Sequence, residues 1–204
     1  MPDQRTASGA RTRQRILASA EHLMRTVGLA HVTTKEIARA AGCSEAALYR
    51  HFSGKEELFV AVLRERLPSL GPLIAELSED PGERTAEESL TDIARNATLF
   101  YEASMPIGSS LFAEPALLAR HREGLRALNA GPHKPLESLA AFLEGLRAAG
   151  RIRADADPGP AAALLLGACY QRAFLRHFMG EEGSPATLDD FATGLTRTLL
   201  TGIA

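Results

Sequence analysis

Two lysines stand where the sequence is about to start a helix, Lys35 within "TTKE" and Lys55 within "SGKE". Both segments are Ser/Thr-x-x-Glu capping boxes, at 33–36 and 53–56, which satisfy the free backbone N–H groups of a helix N-terminus. A cation there opposes the helix macrodipole, whereas a bound phosphate would reverse that balance. The pair therefore predicts contacts with a nucleic-acid backbone. The alternative is that both lysines simply point into water.

The elements around these lysines predict a helix-turn-helix. Residues 11–27 carry one apolar stripe at helical spacing and stop at Gly28. The first capping box opens a short helix that ends at Gly42, a residue that can take the positive φ of a turn. Ser44 is an N-cap for the next helix, so two short helices are joined by a glycine-containing turn. An ordinary helical hairpin without a nucleic-acid role is the alternative.

Composition favours an all-α protein. The chain has 204 residues, 45% of them hydrophobic, and alternating β-branched runs are nearly absent. Cys43 and Cys169 lie far apart without metal-ligand spacing, so we expect reduced thiols and no metal site or other cofactor. The N-terminal segment has no apolar core, and the longest apolar run is too short to span a bilayer. We therefore expect a soluble, cytoplasmic protein with no membrane partner.

The charge is unevenly spread along the chain. Residues 1–66 hold eleven Lys/Arg and seven Asp/Glu, net +4, whereas residues 67–204 hold twelve and eighteen, net −6. A basic front part joined to an acidic remainder indicates an anionic partner at one end.

The remainder of the chain predicts further helices with recognisable limits. A Pro at position 68 should end or kink the helix that the box at 53–56 opens, and "SEDPGER" at 78–84 should be a loop. The other expected limits are a capping box at 85–88 opening a helix that "MPIG" at 105–108 interrupts, a segment interrupted at Pro115 that continues through Leu128, an amphipathic helix at 135–150, a helix from Asp157 and Pro158 through Phe178, and a last helix from Pro185 or Thr187.

The segment "GLAHVTTKEIARAAGCSEAALYRHFSGKEELFVAVL" resembles the N-terminal module of the TetR/AcrR-type transcriptional regulators, with the likeness strong over residues 11–64. The resemblance implies an N-terminal three-helix helix-turn-helix DNA-binding domain, followed by a helical ligand-binding and dimerisation domain, with about nine helices in all. It divides the chain into a disordered arm at 1–10, the DNA-binding domain at 11–56 and the second domain at 57–204.

Carried over residue by residue, the resemblance implies that the helix from Ser44 to Tyr49 enters the major groove. Ala46 would contact a thymine methyl, and Glu45 would accept from a cytosine amino group. Most of the other residues would hold phosphates, although Tyr49 could instead pack. The full predicted DNA-binding set is Arg11, Arg13, Thr33, Thr34, Lys35, Ser44, Glu45, Ala46, Tyr49, Arg50, His51 and Lys55.

A ligand pocket and a dimer interface are also expected. The resemblance implies a cavity among the central helices, for which the candidate residues are Phe100, Tyr101, Met105, Phe112, His121, Phe142, Tyr170, Phe174 and His177. Aromatic residues at helical spacing can equally be plain core. Small residues in the last two helices indicate close helix packing between two subunits, or else within one chain. The expected interface residues are Ala162, Leu166, Ala173, Phe191, Leu195 and Leu199.

We therefore expect a ligand-responsive, DNA-binding regulator, most simply a repressor that binds a palindromic double-stranded operator as a homodimer and is released by a small, largely apolar effector. Two other classes stay open. One is an architectural DNA-binding protein without a ligand, whose binding would be indifferent to sequence. The other is a helical enzyme, which is disfavoured because no nucleophile–base pair, metal cluster or phosphate loop of recognised spacing occurs, so no catalytic residue is assigned.

Overall fold

The computed structural model describes residues 4–68, 70–79, 84–183 and 186–202. Within these ranges the chain forms ten α-helices and two short 3₁₀ turns, at Ser109–Ala113 and Gly180–Gly183, and no strand. The helices are α1 Gln4–Thr26, α2 Thr34–Ala40, α3 Glu45–Tyr49, α4 Lys55–Glu65, α5 Leu70–Glu79, α6 Ala86–Gly108, α7 Pro115–Ala127, α8 His133–Ala148, α9 Pro158–Met179 and α10 Leu188–Thr201. The all-α prediction is confirmed. Within the described ranges no helix is long and apolar enough to cross a membrane.

The helices form two compact units. The first unit comprises residues 4–67 and 104–131, and the second comprises the described residues of 68–103 and 132–202. The predicted boundary after residue 56 differs from the boundary between the compact units. The unit with the helix-turn-helix includes all of α4 and the segment 104–131. Helix α1 begins at Gln4, so residues 4–10 are helical where a disordered arm was expected, and residues 1–3 lie outside the described residues.

The first unit is held by apolar side chains from α1, α2, α3 and α4. Ile16, Leu17, Ile37, Leu48 and Leu58 are fully buried, which explains the helical spacing of these residues in the sequence. In the second unit, α5, α6, α8, α9 and α10 share a separate apolar core. Helix α5 was not predicted from the sequence. Of the predicted loop at 78–84, residues 80–83 lie outside the described residues, while Ser78 and Glu79 are helical.

The two breaks predicted at prolines lie where helices end or begin. Helix α6 continues through Pro106 and ends at Gly108, the last residue of the segment at 105–108 that was predicted to interrupt it. Pro106 has no N–H for the carbonyl of Glu102 one turn earlier, but His177 Nε2 donates to that oxygen at 2.7 Å. The helix therefore keeps this carbonyl satisfied. The predicted interruption at Pro115 is present, because the 3₁₀ turn ends at Ala113 and α7 begins at Pro115. Pro115 occupies the first turn of α7, where its missing N–H is not needed.

Candidate nucleic-acid interface

Helices α2 and α3 each begin at a capped N-terminus. Thr33 N–H donates to Glu36 Oε2 at 2.9 Å, and Glu36 N–H donates to Thr33 Oγ1 at 3.2 Å, which completes the predicted capping box. The Thr33 hydroxyl also bonds this carboxylate and is the main reason that its pKa lies below the ordinary value. At α3, Ser44 Oγ accepts from the Ala47 N–H at 3.1 Å, so the predicted N-cap is confirmed.

The turn between these helices depends on Gly42. Its φ of 65° is left-handed, and the next residue, Cys43, donates its N–H to the Ala38 carbonyl at 3.0 Å. Ala38 and Leu48 are buried where the two helices pack. The predicted helix-turn-helix is therefore present, with its geometry fixed by a glycine, a small residue and two caps.

One side of the helix-turn-helix presents polar and small side chains to solvent. Thr34 Oγ1 lies 3.2 Å from Tyr49 Oη, which brings the start of α2 beside the end of α3. Ala46 and Tyr49 share a helix face because they are three residues apart. Lys35, Ala46 and Arg50 are exposed, and Tyr49 is 50% exposed. We call Thr34, Lys35, Ala46, Tyr49 and Arg50 the α2–α3 face.

Glu45 adjoins this face but is not a freely moving side chain. Thr34 Oγ1 donates to Glu45 Oε1 at 2.7 Å, which links the first residue of α2 to the first residue of α3. Sequence reasoning missed this link because the two residues are eleven positions apart and neither is part of a recognised local motif. His51 is half-buried, with its ring 6.5 Å from that of Phe52.

The Lys55 ammonium is bonded within the protein and is not free to make the predicted contact with a DNA phosphate. Its Nζ donates to the carbonyl oxygens of Leu29 at 2.9 Å, Val32 at 3.3 Å and Ala30 at 3.4 Å, so the ammonium ties α4 to the loop after α1. Burial lowers the pKa of this ammonium. The prediction treated Lys55 as a surface cation. Its acceptors lie in a loop more than twenty residues earlier in the sequence, and no local pattern around residue 55 indicates them.

The second capping box has a different register from the predicted one. Gly54 is the N-cap of α4, so the third helical residue is Glu57 rather than Glu56. Ser53 donates both its N–H and its hydroxyl to Glu57 Oε2, each at 2.6 Å, and these bonds lower the pKa of the Glu57 carboxyl. Glu56 instead packs against Gly124 of α7, where a Cβ would lie 2.5 Å from Glu56 Cγ.

Arg11 and Arg13, two of the residues predicted to contact DNA, lie within α1. Arg13 donates from Nη1 and Nη2 to the two carboxylate oxygens of Glu65, both at 2.6 Å, and its guanidinium lies 5.1 Å from the centre of the Phe52 ring. Because both terminal nitrogens bond Glu65, this arrangement is at odds with the predicted DNA contact of Arg13. Arg11 is exposed on the same helix.

The residues predicted to contact a ligand do not line a single pocket. In the second unit, the Tyr101 ring lies 5.5 Å from Phe100 and 5.4 Å from Tyr170, and burial raises the pKa of Tyr101 to about 12. Phe142 is a buried core residue, and Phe174 stacks on Phe178 at the surface.

The other members of that set have different surroundings. His177 is exposed and bonds Glu102, as described above. Met105, Phe112 and His121 belong to the first unit. Phe112 is 73% exposed, and His121 packs edge-on against Phe59 at 4.9 Å, where burial lowers its pKa. Helical spacing alone could not tell these surroundings apart.

Two cavities among the described residues are lined by side chains that are not in the predicted ligand set. A cavity of about 170 Å³ in the first unit is lined by Leu23, Val27, Val32, Glu36, Arg39 and Ala40. A cavity of about 590 Å³ in the second unit is lined by Arg84, Thr85, Glu87, Glu88, Thr91, Asp92 and Thr193. The larger one is polar, unlike the apolar pocket expected from the sequence.

Half of the predicted dimer residues face the chain's own interior. Ala162, Leu166 and Ala173 of α9 are buried within the chain, so they are unavailable to a partner. Phe191, Leu195 and Leu199 of α10 are partly buried against the core of the second unit. The exposed apolar side of α9 instead carries Leu164 at 65% and Phe178 at 78% exposure, with Tyr170, Phe174 and Met179 about half exposed. Both sides of α9 are apolar, so the sequence did not distinguish them.

Two parts of the chain match known protein families. Residues 16–62 match the family model of bacterial regulatory proteins of the tetR family. Residues 122–201 match the model of the AefR-like transcriptional repressor C-terminal domain. The first match contains the whole α2–α3 face.

Relatives and solved structures agree with these matches. An uncharacterised HTH-type transcriptional regulator of Mycobacterium tuberculosis is 32% identical over 114 residues, 52% of this chain and 56% of that protein, so the likeness spans only about half of the relative. The HTH-type transcriptional repressor AcnR of Corynebacterium jeikeium is 26% identical over 157 residues, 77% of each chain.

Two structural neighbours share the fold over nearly the whole chain. Salmonella enterica GusR has a TM-score of 0.67 at 26% identity, covering 92% of this chain and 93% of its own. FadR from Bacillus subtilis, solved in complex with stearoyl-CoA, has a TM-score of 0.66 at 18% identity and covers 94% and 99%. The helical arrangement is therefore one that both of these proteins share.

Proposed function

Because the chain belongs to the TetR family of bacterial regulatory proteins, we propose that it is a transcriptional repressor that binds a palindromic operator as a dimer and is released by a small, largely apolar effector. The observation that carries this proposal is the α2–α3 face, which offers exposed polar and small side chains beside two capped helix N-termini. The relatives above are regulators rather than enzymes, so we assign no catalysis. The site of action would be the cytoplasm, where the chromosome lies.

The α2–α3 face combines two kinds of DNA contact. Lys35 lies in the first turn of α2, where backbone N–H groups and its ammonium together suit a phosphate oxygen. Such a phosphate contact positions the module without reading sequence. Ala46 and Arg50 would read base edges in the major groove, Ala46 through a thymine methyl and Arg50 through the paired acceptors of guanine.

Dimerisation would cover the exposed apolar side of α9. Leu164, Phe174 and Phe178 recur at helical spacing on that side, and large exposed apolar patches mark interaction surfaces. A second copy of the chain is the occupant that the function needs, because two recognition helices spaced by about 34–36 Å read one turn of DNA. This surface replaces the buried Ala162, Leu166 and Ala173 of the first prediction.

The effector would act in the second unit. The cluster of Phe100, Tyr101 and Tyr170 supplies aromatic surface there. FadR from Bacillus subtilis, which shares the fold, was solved in complex with stearoyl-CoA. Release would follow if the effector binds one arrangement of the dimer better than the DNA-bound one, since a ligand shifts an equilibrium by its differential affinity.

Selection of bound duplexes from a random pool tests this function. We expect the full-length protein to enrich a palindrome whose half-sites lie about one helical turn apart. A matched selection with Ala46→Glu, which places a carboxylate on the α2–α3 face, should enrich nothing. Enrichment of no sequence by the parent protein would refute the repressor proposal, and sequence-indifferent binding would identify an architectural protein instead.

A further inference from the structure

Three side chains at the edge of the helix-turn-helix form a hydrogen-bonded chain. Thr34 Oγ1 lies 2.7 Å from Glu45 Oε1 and 3.2 Å from Tyr49 Oη. A carboxylate only accepts, so the single hydroxyl proton of Thr34 goes to Glu45. The Thr34 oxygen can then only accept from the Tyr49 hydroxyl. The donors are therefore fixed: Tyr49 donates to Thr34, and Thr34 donates to Glu45.

The hydrogen bonds among Thr34, Glu45 and Tyr49 are not needed to begin α2 and α3 or to pack them together. The cap of α2 is Thr33, which bonds Glu36, and the cap of α3 is Ser44. The two helices pack through Ile37 and Leu48, which are fully buried. A partly exposed hydrogen bond adds little to this packing. What the Thr34 hydroxyl does fix is the rotamer of Glu45, a side chain that is otherwise free to turn in solvent.

The Glu45 carboxylate keeps one oxygen available. In the described part of the chain, Oε1 accepts from Thr34 while Oε2 has no hydrogen-bond partner. Glu45 is the first residue of α3, at the end that would enter the major groove. A carboxylate near DNA is repelled by phosphates, so it favours binding only where it meets a donor. In the major groove cytosine offers an amino donor without the adjacent N7 acceptor of adenine.

We propose that Thr34 is a positioning residue that sets the sequence preference of this protein, by orienting Glu45 so that Oε2 accepts a hydrogen bond from a cytosine amino group. This inference rests on the proposed function, since it requires that α3 enters the major groove. It gives Thr34 a role through Glu45 rather than through a phosphate of its own.

The test is base preference, measured with full-length variants. The pool selection is repeated with Thr34→Val, which keeps the shape but removes the hydroxyl, and with Thr34→Ser, which keeps the hydroxyl. The matched control is Thr26→Val, since the Thr26 hydroxyl bonds the carbonyls of His22 and Leu23 in its own helix. Competition binding then compares the selected operator with operators changed at the cytosine that contacts Glu45.

We expect the parent, Thr34→Ser and Thr26→Val to discriminate for cytosine at one position of each half-site. Thr34→Val should lose about fivefold to tenfold of that discrimination, the worth of one oriented charge-assisted hydrogen bond. Glu45→Gln should change the preferred base to adenine, because an amide pairs with its N6 and N7. Thermal unfolding of each variant shows that the fold is intact.

The outcomes separate the two proposals. If the parent enriches no sequence, the repressor proposal fails whatever the variants do. If the parent enriches an operator and Thr34→Val keeps full discrimination for cytosine, the positioning role is overturned. Should Thr34→Val unfold, Glu45→Gln decides alone, and an unchanged base preference in that variant overturns the inference.

Discussion

The two units differ in how their arginines are paired, as two arginines stacked on aromatic rings illustrate. In the first unit, Arg13 lies over Phe52 and has both terminal nitrogens on the carboxylate of Glu65. In the second unit, Arg172 lies 4.8 Å from the centre of the Phe191 ring and donates to the Ala186 carbonyl at 2.8 Å. Its Nε is buried and has no partner within the described residues.

That contrast extends to the other buried polar atoms. In the described part of the chain, the buried side-chain atoms without a hydrogen-bond partner are Ser89 Oγ, Arg95 Nε, Arg172 Nε and Thr196 Oγ1, all in the second unit. An unsatisfied buried group costs about 1–3 kcal/mol. Fully paired groups favour one geometry, as a DNA-reading surface requires. Unpaired groups leave other arrangements competitive, which suits the effector response proposed for the second unit.

The largest effect should come from a close backbone approach in the first unit. Gly28 has a φ of 88°, and a Cβ there would lie 2.7 Å from Ser110 Oγ and 2.8 Å from Ser110 Cβ. Gly28→Ala therefore combines left-handed strain with overpacking and should cost about 2–5 kcal/mol of unfolding free energy.

Gly42→Ala is the matched control for that variant. Gly42 has a φ of 65° but nothing within 4 Å of its would-be Cβ, so only the conformational cost of about 1–2 kcal/mol remains. Equal losses in the two variants, measured by denaturant unfolding, would show that Ser110 does not press on Gly28.

Loss of the Lys55 ammonium should have the next largest effect. Lys55→Ala leaves the carbonyls of Leu29, Ala30 and Val32 without their shared donor and should destabilise the protein by about 1–3 kcal/mol. The salt dependence of operator binding should stay unchanged, because the ammonium faces the protein. A stable variant with a flattened salt dependence would restore the phosphate clamp that the sequence first suggested.

A smaller effect, of opposite sign, is expected in the second unit. Thr196→Val replaces a fully buried hydroxyl that has no partner in the described part of the chain and should stabilise the protein by about 1 kcal/mol. Thr98→Val is the matched change, since the equally buried Thr98 hydroxyl donates to the Ala94 carbonyl at 2.9 Å. It should give no stabilisation. If both variants change the thermal unfolding temperature equally, the hydrogen-bond pairing of the buried hydroxyl does not affect stability as proposed.

Local signals made several helix starts in both units predictable. The boxes at 33–36 and 85–88, the cap at Ser44 and the positive φ of Gly42 depend on residues at most four positions apart, and the structure contains all of them. A capping box needs its Glu at the third helical position. The box at residue 53 was misplaced because a one-residue change in where α4 begins exchanges Glu56 for Glu57.

Distant contacts were beyond reach of the sequence. Helix α6 continues past Pro106 because His177, seventy-five residues after Glu102, satisfies the carbonyl that the proline leaves open. In the same way, Ala162 and Leu164 of α9 are both apolar, but one is buried in the chain and the other is exposed. Periodicity reveals that such a helix packs, but not which apolar side meets its own core and which is left for a partner.

Salt titration of operator binding with Lys35→Ala tests most directly whether the α2–α3 face grips DNA. Each dimer would lose two phosphate contacts, so the slope of log affinity against log salt should become shallower by about two, with little change in base preference or thermal stability. Lys55→Ala, corrected for its lower stability, should keep the parental slope. Identical operator affinities for Lys35→Ala and the parent at every salt concentration would contradict this role of the face.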